Sequence, residues 1–470
     1  MADDSDYREF EQIGIFETWP VEFGRDGNLV LESQVDELVR TAASATDMLV
    51  ISHGWNNDER EASLLYRELL GNLSLQTTAS APGRRLVVLR VYWPSKRFAD
   101  EDLIPGGVAS STDPVQSVSE QIDALLRDFK FQDGLLTDLR SPDTRAKDAV
   151  QRDALGAMQK LLPRLDEDPE AQEEFVRLSR LLLSSHVNDE EEVLQQNFYA
   201  SDGPEVLQRL SRKFKPKAPP VEGPTSIGGV QVDGMGDEGG AAGLGNMFRG
   251  ALNGARNLLN LFTYFEMKER AGTVGSAGLA DVLRRVKTAN PKLRLHLCGH
   301  SFGGRLVVSA LTARPPVAEA TEGVRSVVLL QAAFSHNGLG VKYDGQRDGY
   351  FRRVFEGNRL HGPIVITHTE KDWCVGLAYP IASRLRNQVA SGLGGANDPY
   401  GAIGRNGALF VSGELDKTET TLRPLGEPYA VFKAGRVYNL HGGDFITGHA
   451  AVRGREVAQA LRHALDASLD

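Results

Sequence analysis

Cysteine is nearly missing from this chain, with only Cys298 and Cys374 in 470 residues. A disulfide framework is thereby excluded as the source of its stability. Two thiols in apolar surroundings fit a reducing compartment, and both are expected to be buried. No uninterrupted apolar run approaches the roughly 20 residues of a membrane-spanning helix. The opening residues, Met1-Ala2-Asp3-Asp4, are acidic and polar, so no secretory signal peptide is expected and the cytoplasm is the default location. Excess positive charge is lacking as well. The formal net charge is −10, which argues against nucleic acid as the main partner. There is no H-E-x-x-H, no paired C-x-x-C and no G-x-x-x-x-G-K-[ST]. His296 and His300, four apart on a strand, would stand roughly 13 Å from one another and cannot share an ion. Neither metal nor cofactor is expected.

What is present is an ordinary globular composition, 41% hydrophobic and 25% charged. At 470 residues the chain can bury one large α/β core with an insertion, or two domains. Met48-Leu49-Val50-Ile51-Ser52 is a continuous apolar run, as expected of a strand covered on both faces of a parallel sheet. It leads into His53-Gly54-Trp55-Asn56-Asn57-Asp58. Asn57 or Asp58 can cap the helix that follows, with apolar positions at Leu64, Leu65, Leu69 and Leu70. Arg85 to Trp93 forms a second strand, stopped by Pro94, and completes a βαβ unit.

From residue 96 to 260 no good strand appears. Asp113-Pro114 and Asp168-Pro169 each start a helix with proline at its first position. Glu190-Glu191-Glu192 reads as a solvated run, and a basic stretch from Arg209 to Lys217 precedes Pro219-Pro220 and a glycine-dense segment. Gly234-Met235-Gly236-Asp237-Glu238-Gly239 fits G-x-G-x-x-G. Its two carboxylates would repel a pyrophosphate, however, and glycines continue where a helix should begin, so it reads as linker. Segment 241–262 is apolar and glycine-hinged. It is either a helix packed ahead of the next strand or an amphipathic lid that makes peripheral membrane contact or covers the active site.

The most informative stretch is Leu293 to Gly304. An alternating strand runs into Gly299-His300-Ser301-Phe302-Gly303 and then into the helix-like Arg305-Leu306-Val307-Val308. A strand, a tight turn carrying a serine, and a helix make a G-x-S-x-G nucleophile elbow, whose glycines leave room for close backbone approach. The helix would aim its N-terminal amides at the reacting centre. Strands follow at Val324–Leu330, Ile364–Thr367 and Arg436–Leu440, and a final helix at about 450–465. Ser335 and His336 follow one of these strands and read as a loop turn or a pocket lining.

A serine hydroxyl needs a base, and the base an orienting acid. Strand ends of a parallel sheet gather at one edge, so distant residues can meet there. After Thr367 come Glu370 and Asp372; Asp372 is the first candidate acid and Glu370 the second. After Leu440 come His441 and His449; His449, on the loop entering the final helix, is the first candidate base and His441 the rival. The oxyanion donors would be the backbone amides of Phe302, after the nucleophile, and Trp55, after His53-Gly54.

With Ser52-His53-Gly54-Trp55, Gly299-His300-Ser301-Phe302-Gly303, Asp372 and His449 in this order, the chain resembles the α/β-hydrolase superfamily of serine esterases and lipases over about residues 45–95 and 265–470. The resemblance implies an α/β fold with a doubly wound, mostly parallel sheet. It divides the chain into core segments 1–95 and 261–470 around a large, mainly helical insertion at 96–260, which departs from any cap of the family. It further implies a Ser301–His449–Asp372 triad, an acyl-enzyme intermediate and no cofactor. The substrate class implied is a small-molecule or lipid carboxylic ester. Amide hydrolysis or acyl transfer by the same residues, and a non-catalytic binding module on this fold, are the alternatives.

Overall fold

The computed structural model of the chain describes residues 8–55, 57–76, 83–95, 114–136, 142–183, 201–211, 250–314, 323–372, 374–375, 401–411 and 417–467. At its centre lies a nine-stranded sheet in the order β1-β2-β4-β3-β5-β6-β7-β9-β8. The strands are β1 (Glu11–Ile13), β2 (Phe16–Glu22), β3 (Asp47–Ser52), β4 (Leu86–Tyr92), β5 (Arg294–His300), β6 (Val324–Leu330), β7 (Ile364–His368), β8 (Lys417–Thr421) and β9 (Val437–His441). Among the described strands only the β1–β2 pair is antiparallel.

Helices cover both faces. Successive side chains of β3 enter opposite layers: Met48 and Val50 join one core, Leu49 and Ile51 the other. That two-sided burial is why the strand reads as an unbroken apolar run. The first layer holds α1 (Glu32–Ala42), α8 (Ala280–Ala289) and α9 (Phe302–Leu311); the second holds α2 (Glu59–Gln76) and α10 (Arg455–Asp466). Asp58 is the cap of α2. Its Oδ1 accepts from the Glu61 amide at 2.9 Å while Glu61 Oε2 accepts from the Asp58 amide at 2.8 Å, a reciprocal capping box. Leu65, Leu69 and Leu70 face the core as the periodicity predicts, but Leu64 is exposed.

Between β4 and β5 every element is helical among the described residues. α3 (Pro114–Leu136), α4 (Pro142–Leu161) and α5 (Pro169–Leu183) all begin on proline, where the missing N–H costs nothing. Asp168 caps α5 by accepting from the amides of Glu170 and Ala171. α6 (Gly203–Ser211) and α7 (Gly250–Thr273) follow. α7 runs unbroken through residue 260, so the segment boundary drawn there falls inside one helix. Ala251, Leu252, Ala255, Leu258, Leu259, Leu261 and Phe262 are all buried. The described part of 241–262 therefore packs inward, the first of the two readings. Residues 241–249, the G-x-G-x-x-G at 234–239, the glutamates at 190–192 and Pro219-Pro220 lie outside the described residues.

α7 passes through a π-helical turn, Val274–Leu279, before α8. A Cβ on Gly275 would stand 2.1 Å from the Leu306 carbonyl, so this turn sits directly on α9. No helix among the described residues is long and apolar enough to cross a membrane. Of the two thiols, Cys298 is buried in β5 but Cys374 is exposed, contrary to expectation, because it lies on the loop beyond β7 rather than under it.

Candidate active site

Parallel pairing brings the C-terminal ends of β3, β5, β6, β7 and β9 to one edge. Ser52 lies opposite Gly299, His300 opposite Leu330, Leu330 opposite Thr367, and His368 opposite His441. Each candidate side chain is carried on the loop leaving one of these ends.

Ser301 stands between β5 and α9 with φ 56° and ψ −125°. A non-glycine residue there carries strain of about 1–3 kcal/mol. The surroundings impose it. The Ser301 amide donates to the Leu330 carbonyl and the Ala333 amide donates to the Ser301 carbonyl, both at 3.0 Å. The flanking glycines are obligatory: a Cβ on Gly299 would meet the Gly303 carbonyl oxygen at 2.3 Å, and one on Gly303 would meet the Ser52 and His53 carbonyls at 2.4 Å. The serine is thus held at the start of α9, whose first amides have no intrahelical partner.

Asp372 is fully buried and His449 Nδ1 donates to its Oδ2 at 2.8 Å. The same Oδ2 accepts from Gln331 Nε2 at 3.0 Å, and Oδ1 accepts from the Val375 amide at 3.2 Å. Burial pushes the Asp372 carboxyl up, but the His449 charge and these hydrogen bonds prevail and hold it below its ordinary value. With Nδ1 engaged by Asp372, a proton taken up by the neutral His449 ring would go to Nε2. Among the described residues no hydrogen bond joins Ser301 to His449, whose contacts are with Asp372 and His300. Such a bond commonly forms only when substrate binds. His300 places the ring: its Nε2 donates to the His449 carbonyl at 3.0 Å, and the two rings lie 4.8 Å apart. Burial first, and the neighbouring His449 second, depress His300 to about 3, so it is neutral.

The loop after β3 meets the elbow edge to edge. A Cβ on Gly54 would lie 2.6 Å from Ser301 Cβ. His53 is stacked on Trp93 at 5.6 Å, and its Nδ1 donates to the Gly54 carbonyl at 2.9 Å. Burial lowers His53 to about 4, which makes it a neutral structural ring. Asn57 Nδ2 donates to the carbonyls of Gly54 and Trp55, turning those oxygens inward. The Trp55 ring packs on Phe302 and Tyr264. The Trp55 and Phe302 rings therefore adjoin beside Ser301, their centroids 6.0 Å apart.

The second-choice residues find each other. His441 Nε2 donates to Glu370 Oε2 at 2.7 Å, and this bond is the chief reason that Glu370 lies below its ordinary value. Lys371 Nζ donates to the Gly443 carbonyl at 3.0 Å, and the Gly442 amide to the His368 carbonyl at 2.7 Å. These bonds stitch the acid loop to the histidine loop. Ser335 and His336 form a turn, His336 Nδ1 meeting Asn406 Nδ2 at 3.0 Å. Gln331 and His300 were not singled out by sequence reasoning. The available signal for Gln331 was a lone polar residue ending an apolar strand at the level of the serine. No family model matches the chain, and no curated protein or solved structure matches it. Among the described residues no group of His, Cys, Asp and Glu is arranged to hold a metal ion.

Proposed function

We propose that this chain is a serine hydrolase of the α/β-hydrolase kind that cleaves a carboxylic ester. The single observation that carries the reading is the strained Ser301 at a parallel strand end, sharing one sheet edge with a buried Asp372 that is bonded to a half-buried His449. A scaffold has no use for a serine in a costly conformation at the same sheet edge as an oriented imidazole. In this reading Ser301 Oγ attacks the carbonyl carbon while His449 Nε2 takes its proton. The amides of Trp55 and Phe302 receive the developing oxyanion. His449 returns the proton to the leaving alcohol, and water, activated by the same nitrogen, releases the acid and frees Ser301. Asp372 keeps the imidazole in the productive tautomer and stabilises its cation.

The test is labelling with a fluorophosphonate. Wild type is expected to label once, and S301A not at all. Failure of well-folded wild type to label sinks the proposal in favour of a binding module. A chain-length series of nitrophenyl esters then refines the substrate; preference for acetate over long acyl chains rules out a lipase.

A further inference from the structure

The end of β6 and the residues just after it touch two members of this constellation, Ser301 through Leu330 and Asp372 through Gln331. Leu330 receives the Ser301 amide and Ala333 donates to the Ser301 carbonyl, so residues 330–333 bracket the backbone of the nucleophile. In the middle of that bracket stands Gln331, fully buried, with φ 46°. Its amide nitrogen donates to Asp372 Oδ2 at 3.0 Å and to the Gly404 carbonyl at 2.8 Å. Its own backbone amide donates to Thr367 Oγ1 at 3.2 Å. A Cβ on Gly404 would meet the Gln331 carbonyl carbon at 2.4 Å, so the neighbouring turn closes the space around it. The side-chain oxygen, Oε1, is buried without a partner among the described residues. An unsatisfied amide oxygen and a left-handed backbone are both unfavourable, and a purely structural site would shed them.

We infer that Gln331 is a positioning residue of the triad, acting through Asp372, and this inference rests on the serine-hydrolase reading above. A carboxylate with one oxygen facing the imidazole can rotate away from it. The Gln331 amide holds Oδ2 through a hydrogen bond at 3.0 Å, and it does so without charge. A lysine or arginine there would neutralise the carboxylate that must stabilise the His449 cation. Glutamine gives the orienting bond and leaves the full negative charge facing the histidine. The same residue sets the distance between nucleophile and acid, because its backbone is part of the bracket around Ser301. The charged and titratable groups around this spot are Asp372, His449, His300 on β5, and Arg405, whose Nη1 donates to the Asp372 carbonyl at 3.2 Å. Glu370 and His441 are turned toward each other.

The experiment compares Q331M and Q331E with wild type, reading kcat/KM on a nitrophenyl ester across pH, labelling at Ser301, and thermal melting. Methionine keeps the volume and deletes the donor. It is expected to lower kcat/KM about ten- to hundredfold, the effect of one hydrogen bond to a charged group. The acidic limb moves to higher pH, because a carboxylate with one donor fewer binds the imidazolium more tightly. Glutamic acid donates the same bond only while protonated, and burial beside Asp372 raises its pKa. Q331E is therefore expected to give a narrower pH profile displaced to lower pH, with activity near wild type at its acidic end. Folded, labelled variants that keep the wild-type pH profile and kcat/KM overturn this assignment alone. Wild type that does not label overturns the parent reading and this one together. If neither variant folds while Asp372→Ala does, Gln331 belongs to the structure only and the assignment is equally overturned.

Discussion

Replacing Gly54 by alanine tests the contact between the two halves of the proposed site. The new Cβ would sit 2.6 Å from Ser301 Cβ and 3.1 Å from His300 Nδ1. Carbon atoms rest about 3.5–4.0 Å apart, so the loop must retreat from the serine by about an ångström. Ser301 cannot yield instead, because its backbone is bonded on both sides and its glycine neighbours are packed against carbonyls. The retreat carries the Trp55 amide with it. A misplacement of about 1 Å costs on the order of a hundredfold, and loss of one oxyanion donor about a hundred- to a thousandfold. G54A should therefore lose about two to three orders of magnitude in kcat/KM, or about 3–4 kcal/mol of transition-state stabilisation. Overpacking should cost only about 1–3 kcal/mol of fold stability, leaving the protein folded. The control is G71A in the interior of α2, where the added methyl meets nothing within 4 Å and helix propensity improves. The assays are ester hydrolysis, the rate of fluorophosphonate labelling, and thermal melting. Hydrolysis by G54A within about threefold of wild type refutes the placement of an oxyanion donor on this loop.

Two further outcomes follow from the same geometry. H449A should abolish labelling, whereas H441A should retain it with at most a few-fold change, since an exposed pair such as His441–Glu370 contributes only about 0.2–1 kcal/mol; the reverse ranking in a labelling gel would reassign the base. Stability should fall on mild acidification: His53 at about 4 and His300 at about 3 stay neutral in the folded chain, while their unfolded counterparts bind a proton near pH 6.5. Between those values the unfolded state holds more protons, so stability rises with pH and is lost as pH drops below about 6.5, by up to about 1.4 kcal/mol per pH unit for each ring. Urea titrations at pH 7 and pH 5 measure this, and equal midpoints would contradict the neutral, buried state assigned to both rings.

The sheet centre and the strand-end placement of Ser301, Asp372 and His449 were legible because they rest on patterns with a physical cause. A run such as Met48–Ser52 has no polar face to offer solvent, and Gly299-His300-Ser301-Phe302-Gly303 breaks a strand in a way few other turns require. Asp372 and His449 could be nominated because parallel strand ends converge, a rule independent of sequence distance. β1, β2 and β8 escaped notice. β2 carries Thr18 and Pro20 among its apolar residues, and β8 is the polar edge strand Lys-Thr-Glu-Thr-Thr, so neither shows a clean apolar pattern. The final helix begins at Arg455 rather than near 450, because Gly448 to Gly454 is used as the loop that presents His449. Gln331 was invisible for a different reason. Its importance lies in a left-handed backbone and two hydrogen bonds to residues 41 and 73 positions away, and no local window contains them.

The pairing of β3 with β5 has a consequence for how the protein is made. Asp47 to Ser52 lie beside Arg294 to Gly299, 247 positions later in the chain. During synthesis β3 can join β4 early, but its other edge stays open until the elbow strand has left the ribosome. At roughly 5–20 residues per second that interval lasts about 10–50 s. A largely apolar strand with one naked edge is a template for association with other nascent chains. Ribosome stalling or premature termination before residue 293 would therefore release fragments that clump rather than fold.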